Sequence, residues 1–96
     1  MFLGRLYILH FQAILPASEF SARQCFDDKA RHTADGKIKR GQLKYIIPFC
    51  YGYSIKPYDE TLQEVYDALG IGADARIDFP TFWSVLKRLE QNLDVS

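Results

Sequence analysis

The chain has 96 residues, 48% hydrophobic and 25% charged, which fits one small globular domain and excludes a disordered chain. Lys plus Arg and Asp plus Glu each number 12, so the charge balance gives no indication of nucleic-acid binding. Cys25 and Cys50 form no C-x-x-C pair and the chain has only two histidines, so a zinc cluster is not expected. Both cysteines are interpreted as buried thiols of a reducing compartment, and a disulfide stays open if the chain is exported.

Residues 1–16 form an apolar N-terminal arm, in which Arg5, His10 and Gln12 interrupt the run Phe2–Leu15. The run is shorter than the roughly 20 apolar residues of a membrane-spanning helix, so no span is predicted. An apolar segment of this length would aggregate if exposed. We expect it either to fold back onto its own domain or to pack against a partner, and the sequence leaves both open.

The first helix is predicted to begin within Ser18–Ser21, because Ser21 and Gln24 have the spacing of a capping box. One face of that helix is apolar and is formed by Ala22, Cys25 and Phe26. Turn-forming residues in Arg31–Gly36 end the helical pattern, and a short extended piece, Lys37–Lys39, follows.

The second helix is predicted over Gln42–Ile47, with Leu43, Ile46 and Ile47 buried. It is expected to end or kink at Pro48, since proline lacks a backbone amide and crowds the preceding turn. The stretch from Cys50 to Pro57 has the composition of a linker.

A third helix is predicted after Pro57, with an acidic first turn of Asp59 and Glu60. Its apolar residues recur at the helical period: Leu62, Val65, Tyr66 and Leu69. Gly70 and Gly72 end it, a short extended piece Arg76–Asp78 follows, and a fourth helix is predicted to begin near Asp78–Pro80. Its predicted buried residues are Phe79, Phe82, Trp83, Leu86 and Leu89.

The order helix, loop, short strand, helix therefore occurs twice, with a period of about 39 residues from Ile38 to Ile77. The fold class expected is all-α, with two helix–loop–helix units joined by a short two-stranded β bridge. The domain occupies residues 17–92 and a polar tail occupies 93–96.

The loop Gly70–Thr81, followed by Phe82, resembles an EF-hand loop in length and in the positions of its apolar residues, with Ile77 at the bridge position. The resemblance extends from about Tyr51 to Leu89. In the first half, Asp35–Ile38 is similar to the centre of such a loop. The resemblance implies a calmodulin-like or myosin light chain-like lobe, in which Ile38 and Ile77 face each other.

In that family, calcium takes oxygen ligands from loop positions 1, 3, 5, 7, 9 and 12. The first loop has Arg31, Thr33, Asp35, the Lys37 carbonyl, Lys39 and Gln42 at these positions. The second has Gly70, Gly72, Asp74, the Arg76 carbonyl, Asp78 and Thr81. Because carboxylates at positions 1 and 12 are absent, we expect neither calcium nor any other cofactor to bind. Asp35, Asp74 and Asp78 are interpreted as vestigial loop positions that act in turns and helix caps.

The resemblance implies a calcium-independent module that binds an amphipathic helix of a partner, such as a motor neck or scaffold segment, in the cytoplasm and in association with the cytoskeleton. The candidate partner-binding residues are Ile46, Phe49, Tyr66, Phe82, Trp83 and Leu86. The sparing use of methionine, with Met1 alone, favours one dedicated partner over many.

Two alternatives remain open: a weak calcium sensor of the calmodulin type, and a structural subunit of a large cytoskeletal or organellar assembly. An enzyme is not expected, because the chain has no nucleophile motif and no glycine-rich phosphate loop.

Overall fold

The computed structural model of the chain describes residues 16–52 and 59–92. The predicted arm, except Pro16, the polar tail 93–96 and most of the predicted linker lie outside the described residues. Within them the chain is mostly helical, with a short two-stranded antiparallel sheet. The elements, in chain order, are α1 (Glu19–Ala30), β1 (Ile38–Lys39), a 3₁₀ turn (Arg40–Gln42), α2 (Leu43–Cys50), α3 (Asp59–Leu69), β2 (Arg76–Ile77) and α4 (Phe79–Asn92).

Two side chains cap the starts of α1 and α4. The Ser18 hydroxyl accepts a hydrogen bond from the backbone amide of Ser21 at 3.1 Å, so α1 begins within the predicted window. The Asp78 carboxylate accepts one from the amide of Thr81 at 3.0 Å, and α4 begins at Phe79, also as predicted. Asp78 therefore acts as a helix cap.

Of the two outcomes predicted at Pro48, an end or a kink, the end is wrong, because α2 continues through this proline to Cys50. A proline in a helix removes one hydrogen bond, that of its own missing amide. The turn after it still closes, since the Tyr51 amide donates to the Pro48 carbonyl at 3.1 Å. Burial of Ile46, Ile47 and Cys50 also holds the helix against the rest of the domain.

The pairing of Ile38 with Ile77 is confirmed. β1 and β2 are antiparallel, Ile38 lies opposite Ile77, and Lys39 lies opposite Arg76. Both isoleucines are buried, at 0% and 1% exposure, so the short sheet faces its apolar side chains toward the core. In each half, the paired isoleucine lies eight residues after the end of the preceding helix, Ala30 or Leu69.

The core lies between the four described helices and the sheet. Phe82 is fully buried on α4, and its ring centroid lies 5.4 Å from that of Phe26 on α1. Trp83, predicted to be buried, is half-buried, because it is displaced from Phe82 by about 100° around the helix. The other fully buried large side chains are Ile38, Leu43, Ile47, Ile77, Leu86, Leu89, Val65 and Val85.

Candidate functional site

The two loops are joined by an ion pair between Asp35 and Arg76. The Arg76 guanidinium donates from Nε to Asp35 Oδ2 at 3.1 Å and from Nη2 to Asp35 Oδ1 at 2.7 Å. Nη2 also donates to the backbone carbonyl of Lys37 at 3.2 Å. The Asp35 carboxylate accepts a further bond from the Lys37 amide at 3.1 Å, which closes a turn. One arginine of the second loop thus contacts a carboxylate and a carbonyl of the first.

This pair has an electrostatic consequence for both side chains. The hydrogen bonds from Arg76 and from the Lys37 amide stabilise the charged carboxylate and lower the pKa of Asp35 to about 2. The same carboxylate raises the pKa of Arg76. Both groups are therefore charged at neutral pH. Both are also partly exposed, at 45% and 39% of their side chains, so solvent screens their attraction.

The other two aspartates that the resemblance places at ligand positions have separate surroundings. The pKa of Asp78 is lowered by the hydrogen bonds that it accepts from Thr81, as expected of a helix cap. Asp74 lies exposed in the turn of the second loop. Among the described residues, no group of three or more His, Cys, Asp or Glu side chains is arranged to hold a metal ion.

A second arginine, Arg40, ties the 3₁₀ turn to the second loop. Its guanidinium donates to the carbonyl of Ile71 at 3.1 Å and lies over the ring of Tyr66, 4.6 Å from the centroid. Its amide donates to the carbonyl of Ala75 at 3.3 Å. The loops are thus held against each other by two arginine contacts as well as by the sheet. Neither contact has a signal in the sequence, because both join residues far apart in the chain.

A buried carboxylate, Glu90, joins three parts of the domain. It accepts hydrogen bonds from the Tyr51 hydroxyl at 2.6 Å, the Ala17 amide at 2.9 Å and the Lys87 ammonium at 3.0 Å. Lys87 also donates to the Ala17 carbonyl at 2.9 Å. Glu90 is only 8% exposed. The sequence gives one signal of this site, since Glu90 lies four residues after Leu86 on the apolar face of α4.

Burial and hydrogen bonding act in opposite directions on this cluster. Burial alone would raise the pKa of Glu90, but the bonds from Tyr51, Ala17 and Lys87 outweigh it and lower that pKa. The pKa of Tyr51 is raised by its burial and by its bond to the carboxylate. Glu90 is therefore ionised and Tyr51 neutral at physiological pH, the states that give a short bond from hydroxyl to carboxylate.

The six predicted partner-binding residues do not lie on one surface in this structure. Phe82 and Leu86 are fully buried, and Tyr66 is 6% exposed. Trp83 is half-buried, stacked on Phe79 at 6.4 Å between ring centroids. The remaining two, Ile46 and Phe49, lie on α2 and line one groove.

That groove lies between α1 and α2 and is open, with a volume of about 790 Å³. Its apolar part includes Tyr45, Ile46 and Phe49, and Tyr45 is 65% exposed. Its rim carries both signs of charge. The full lining is Gln24, Cys25, Asp27, Asp28, Lys29, Arg31, His32, Tyr45, Ile46 and Phe49.

The cysteines lie on the two helices that form the groove. Both are free thiols; Cys25 on α1 is half-buried and lines the groove, whereas Cys50 on α2 is buried. Burial raises the pKa of the Cys50 thiol, and the neighbouring Cys25 raises it further. Cys50 is therefore protonated and unreactive in the folded chain, and Cys25 is the more accessible thiol.

Comparison with known proteins assigns no family to this arrangement. No family model matches the chain, and no curated protein or solved structure matches it either. None of the helices in residues 16–52 and 59–92 has the length and apolar character needed to cross a membrane.

Proposed function

We propose that the chain is a calcium-independent protein-binding module of the EF-hand type, which holds an amphipathic helix of a partner in the groove between α1 and α2. The observation that carries the proposal is the contact of Arg76 with Asp35 and the Lys37 carbonyl. In the EF-hand resemblance, the Asp35 carboxylate and the Lys37 carbonyl are the metal ligands at loop positions 5 and 7. The Arg76 side chain thus binds the two oxygen atoms that a cation in this loop would need as ligands.

The presence of the Arg76 guanidinium where a cation would bind supports a module that has one conformation without metal. A calcium ion in the first loop would have to displace the guanidinium and would then meet Arg31 and Lys39 at further ligand positions. In the second loop, Asp78 already caps α4 through its bond with Thr81. Binding is therefore expected to be constitutive. On this proposal the chain is not an enzyme and uses no cofactor.

The groove supports the choice of a helical partner. An amphipathic helix binds by placing apolar side chains spaced at i, i+3, i+4 and i+7 into a hydrophobic groove. Tyr45 offers an exposed aromatic surface, and Ile46 also lines the groove. The mixed rim of Asp27, Asp28 and Lys29 suits the polar edges of such a helix. A motor neck or scaffold helix in the cytoplasm is the partner class that we propose.

The metal part of the proposal is tested by calorimetric titration of the full chain with calcium to millimolar concentration. We expect no binding heat, because carboxylate ligands at positions 1 and 12 are absent and Arg76 binds the Asp35 and Lys37 oxygen atoms of the first loop. A one-to-one binding heat would contradict the proposal and support the weak calcium sensor. Titration of Arg76→Gln serves as the matched control, since it frees Asp35 without adding a carboxylate.

The partner part is tested by capturing a binding protein with the full chain and mapping the bound segment by cross-linking. We expect a segment with large apolar residues at helical spacing, cross-linked to residues of α1 and α2. Tyr45→Glu should abolish capture, because it places a charge in the apolar part of the groove. Ser84→Glu, on an exposed position of α4, is the control and should capture normally. Equal capture by both variants would contradict binding in this groove.

A further inference from the structure

The two cysteines of the chain lie on the helices that form the groove, α1 and α2. Cys25 is half-buried, lines the groove, and packs against the apolar core to which the buried Cys50 belongs. Ala22, one turn earlier on α1, and Phe26, the next residue, are both buried. The side of α1 that carries Cys25 is therefore turned toward the domain.

The Cys50 sulfur lies over the part of α2 that meets Cys25. Its thiol donates to the backbone carbonyl of Ile46 at 3.8 Å, and the Ile46 side chain lines the groove together with Cys25. The two thiols are also close enough to be hydrogen-bond partners of each other. The fold thus brings together two sulfur atoms that are far apart in the sequence.

We infer that Cys25 and Cys50 form an intramolecular disulfide by exchange with glutathione disulfide, which links α1 to α2 at the wall of the groove. A disulfide requires the two Cβ atoms to come within about 4.5 Å, and side chains whose thiols are already in contact approach that separation. In a reducing compartment the link is reversible, and it forms as the proportion of glutathione disulfide rises.

The exchange begins at Cys25, the more accessible thiol. Its thiolate, having lost a proton to solvent, attacks one sulfur of glutathione disulfide; that S–S bond breaks, and the departing glutathione thiolate takes up a proton. Cys50 is closed to solutes but adjoins the mixed disulfide. Its sulfur attacks the Cys25 Sγ, and its proton passes to the departing glutathione sulfur. Two protein thiols are thereby oxidised, and one glutathione disulfide is reduced to two molecules of glutathione.

The disulfide alters the groove because Cys25 is one of its lining side chains. In the oxidised chain, α1 and α2 cannot separate at this point, and the Cys25 thiol is no longer available. Any effect on a partner rests on the proposed function, whereas the disulfide itself does not. Its test uses the chain alone, so failure of the disulfide and failure of partner binding are distinguishable.

The test is equilibration of the full chain with mixtures of glutathione and glutathione disulfide, followed by acid quenching and mass spectrometry. We expect a monomer lighter by two hydrogen atoms, with one peptide joined through Cys25 and Cys50. Its equilibrium constant should be at least about tenfold larger in buffer than in denaturant, because the folded chain holds the sulfurs together. Free thiols at every ratio, a disulfide between two chains, or a constant that folding does not increase would overturn the inference.

Two variants test the order of the steps. Cys50→Ala has no second thiol, so it should accumulate the mixed disulfide of Cys25 with glutathione, which the wild type carries only transiently. Cys25→Ala keeps only the buried thiol and should stay unmodified in buffer. Equal accumulation of the mixed disulfide in wild type and Cys50→Ala would overturn the inference. Modification of Cys25→Ala at the wild-type rate would overturn it independently of any change at the buried site.

Discussion

The two halves of the domain share an element order but differ in what they do with their apolar side chains. The second half, α3–β2–α4, buries them: Phe82, Val85, Leu86 and Leu89 of α4 are all at 0% exposure. In the first half, α1–β1–α2, Phe20, Tyr45 and Phe49 are more than half exposed. Among the described residues, no large apolar side chain of the second half is exposed to that extent. The repeat is therefore one of topology, and among the described residues the large apolar side chains that are more than half exposed belong to the first half.

The loops differ in the same way. The first loop contributes oxygen atoms, the Asp35 carboxylate and the Lys37 carbonyl, and the second contributes the Arg76 guanidinium that binds them. The ion pair therefore needs a side chain from each loop. The two loops are thus joined by an ion pair as well as by the two-stranded sheet. The comparison of the halves suggests three predictions, from the largest expected effect to the smallest.

The largest effect is expected for Phe82→Ala in the second half. Removing this fully buried ring leaves a cavity against Phe26 and Phe79, which should lower the free energy of unfolding by about 3–5 kcal/mol. Phe20→Ala in the first half is the matched control, because Phe20 is 72% exposed and should change that free energy by less than about 0.5 kcal/mol. Chemical denaturation of the full chain measures both.

The difference between the losses of unfolding free energy in these two variants tests the comparison of the halves. If Phe20→Ala destabilised the chain as much as Phe82→Ala, then Phe20 would be part of a core, and the division of roles between the halves would fail. A loss at Phe82 below about 1 kcal/mol would equally contradict the assigned core.

The sequence predicted best the elements whose period is clear. α3 and α4 have apolar residues at helical spacing, and the turn residues before Ile38 and Ile77 placed both isoleucines in the sheet. The local rule that a helix ends at a proline fails at Pro48, because tertiary burial holds α2 together. The ion pair of Asp35 with Arg76 was missed for a different reason. The EF-hand resemblance assigns a role only to the backbone carbonyl of Arg76, and contacts between distant side chains have no local signature.

Glu90 shows where the candidate site could have been found. A glutamate on the apolar face of α4 is unusual, since a buried carboxylate needs partners. Its partners, however, are a tyrosine at the end of α2 and a backbone amide before α1. Only the packed fold brings these groups together, so the sequence could indicate the carboxylate but not the cluster.

The second prediction concerns this link between the halves. Glu90→Gln should lower the free energy of unfolding by about 1.5–3 kcal/mol, because bonds from Tyr51, Ala17 and Lys87 lose a charged acceptor. Tyr51→Phe removes one of these bonds and should cost less, about 1 kcal/mol. Chemical denaturation at neutral pH checks the order. A larger loss for Tyr51→Phe than for Glu90→Gln would show that the carboxylate is not the centre of the cluster.

The smallest effect, and the one most specific to the loops, is expected for Asp35→Asn and is seen in its pH dependence. The folded-state pKa of Asp35 is lowered from 3.8 to about 2, so the pair with Arg76 stabilises the fold fully above pH 3.8. That contribution is lost as the pH falls toward about 2 and the carboxylate is protonated. The stability difference between wild type and Asp35→Asn should therefore be constant at neutral pH and shrink in this acid window.

Arg76→Gln provides the companion curve, because it removes the same pair from the other loop. If the two side chains act as one unit, the double variant Asp35→Asn, Arg76→Gln should be no less stable than either single variant. Additive losses in the double variant, or a wild-type difference that persists unchanged below pH 2, would contradict the pairing. Because the pair is solvent-exposed, its worth to stability is small, and its importance lies in the oxygen atoms that it occupies.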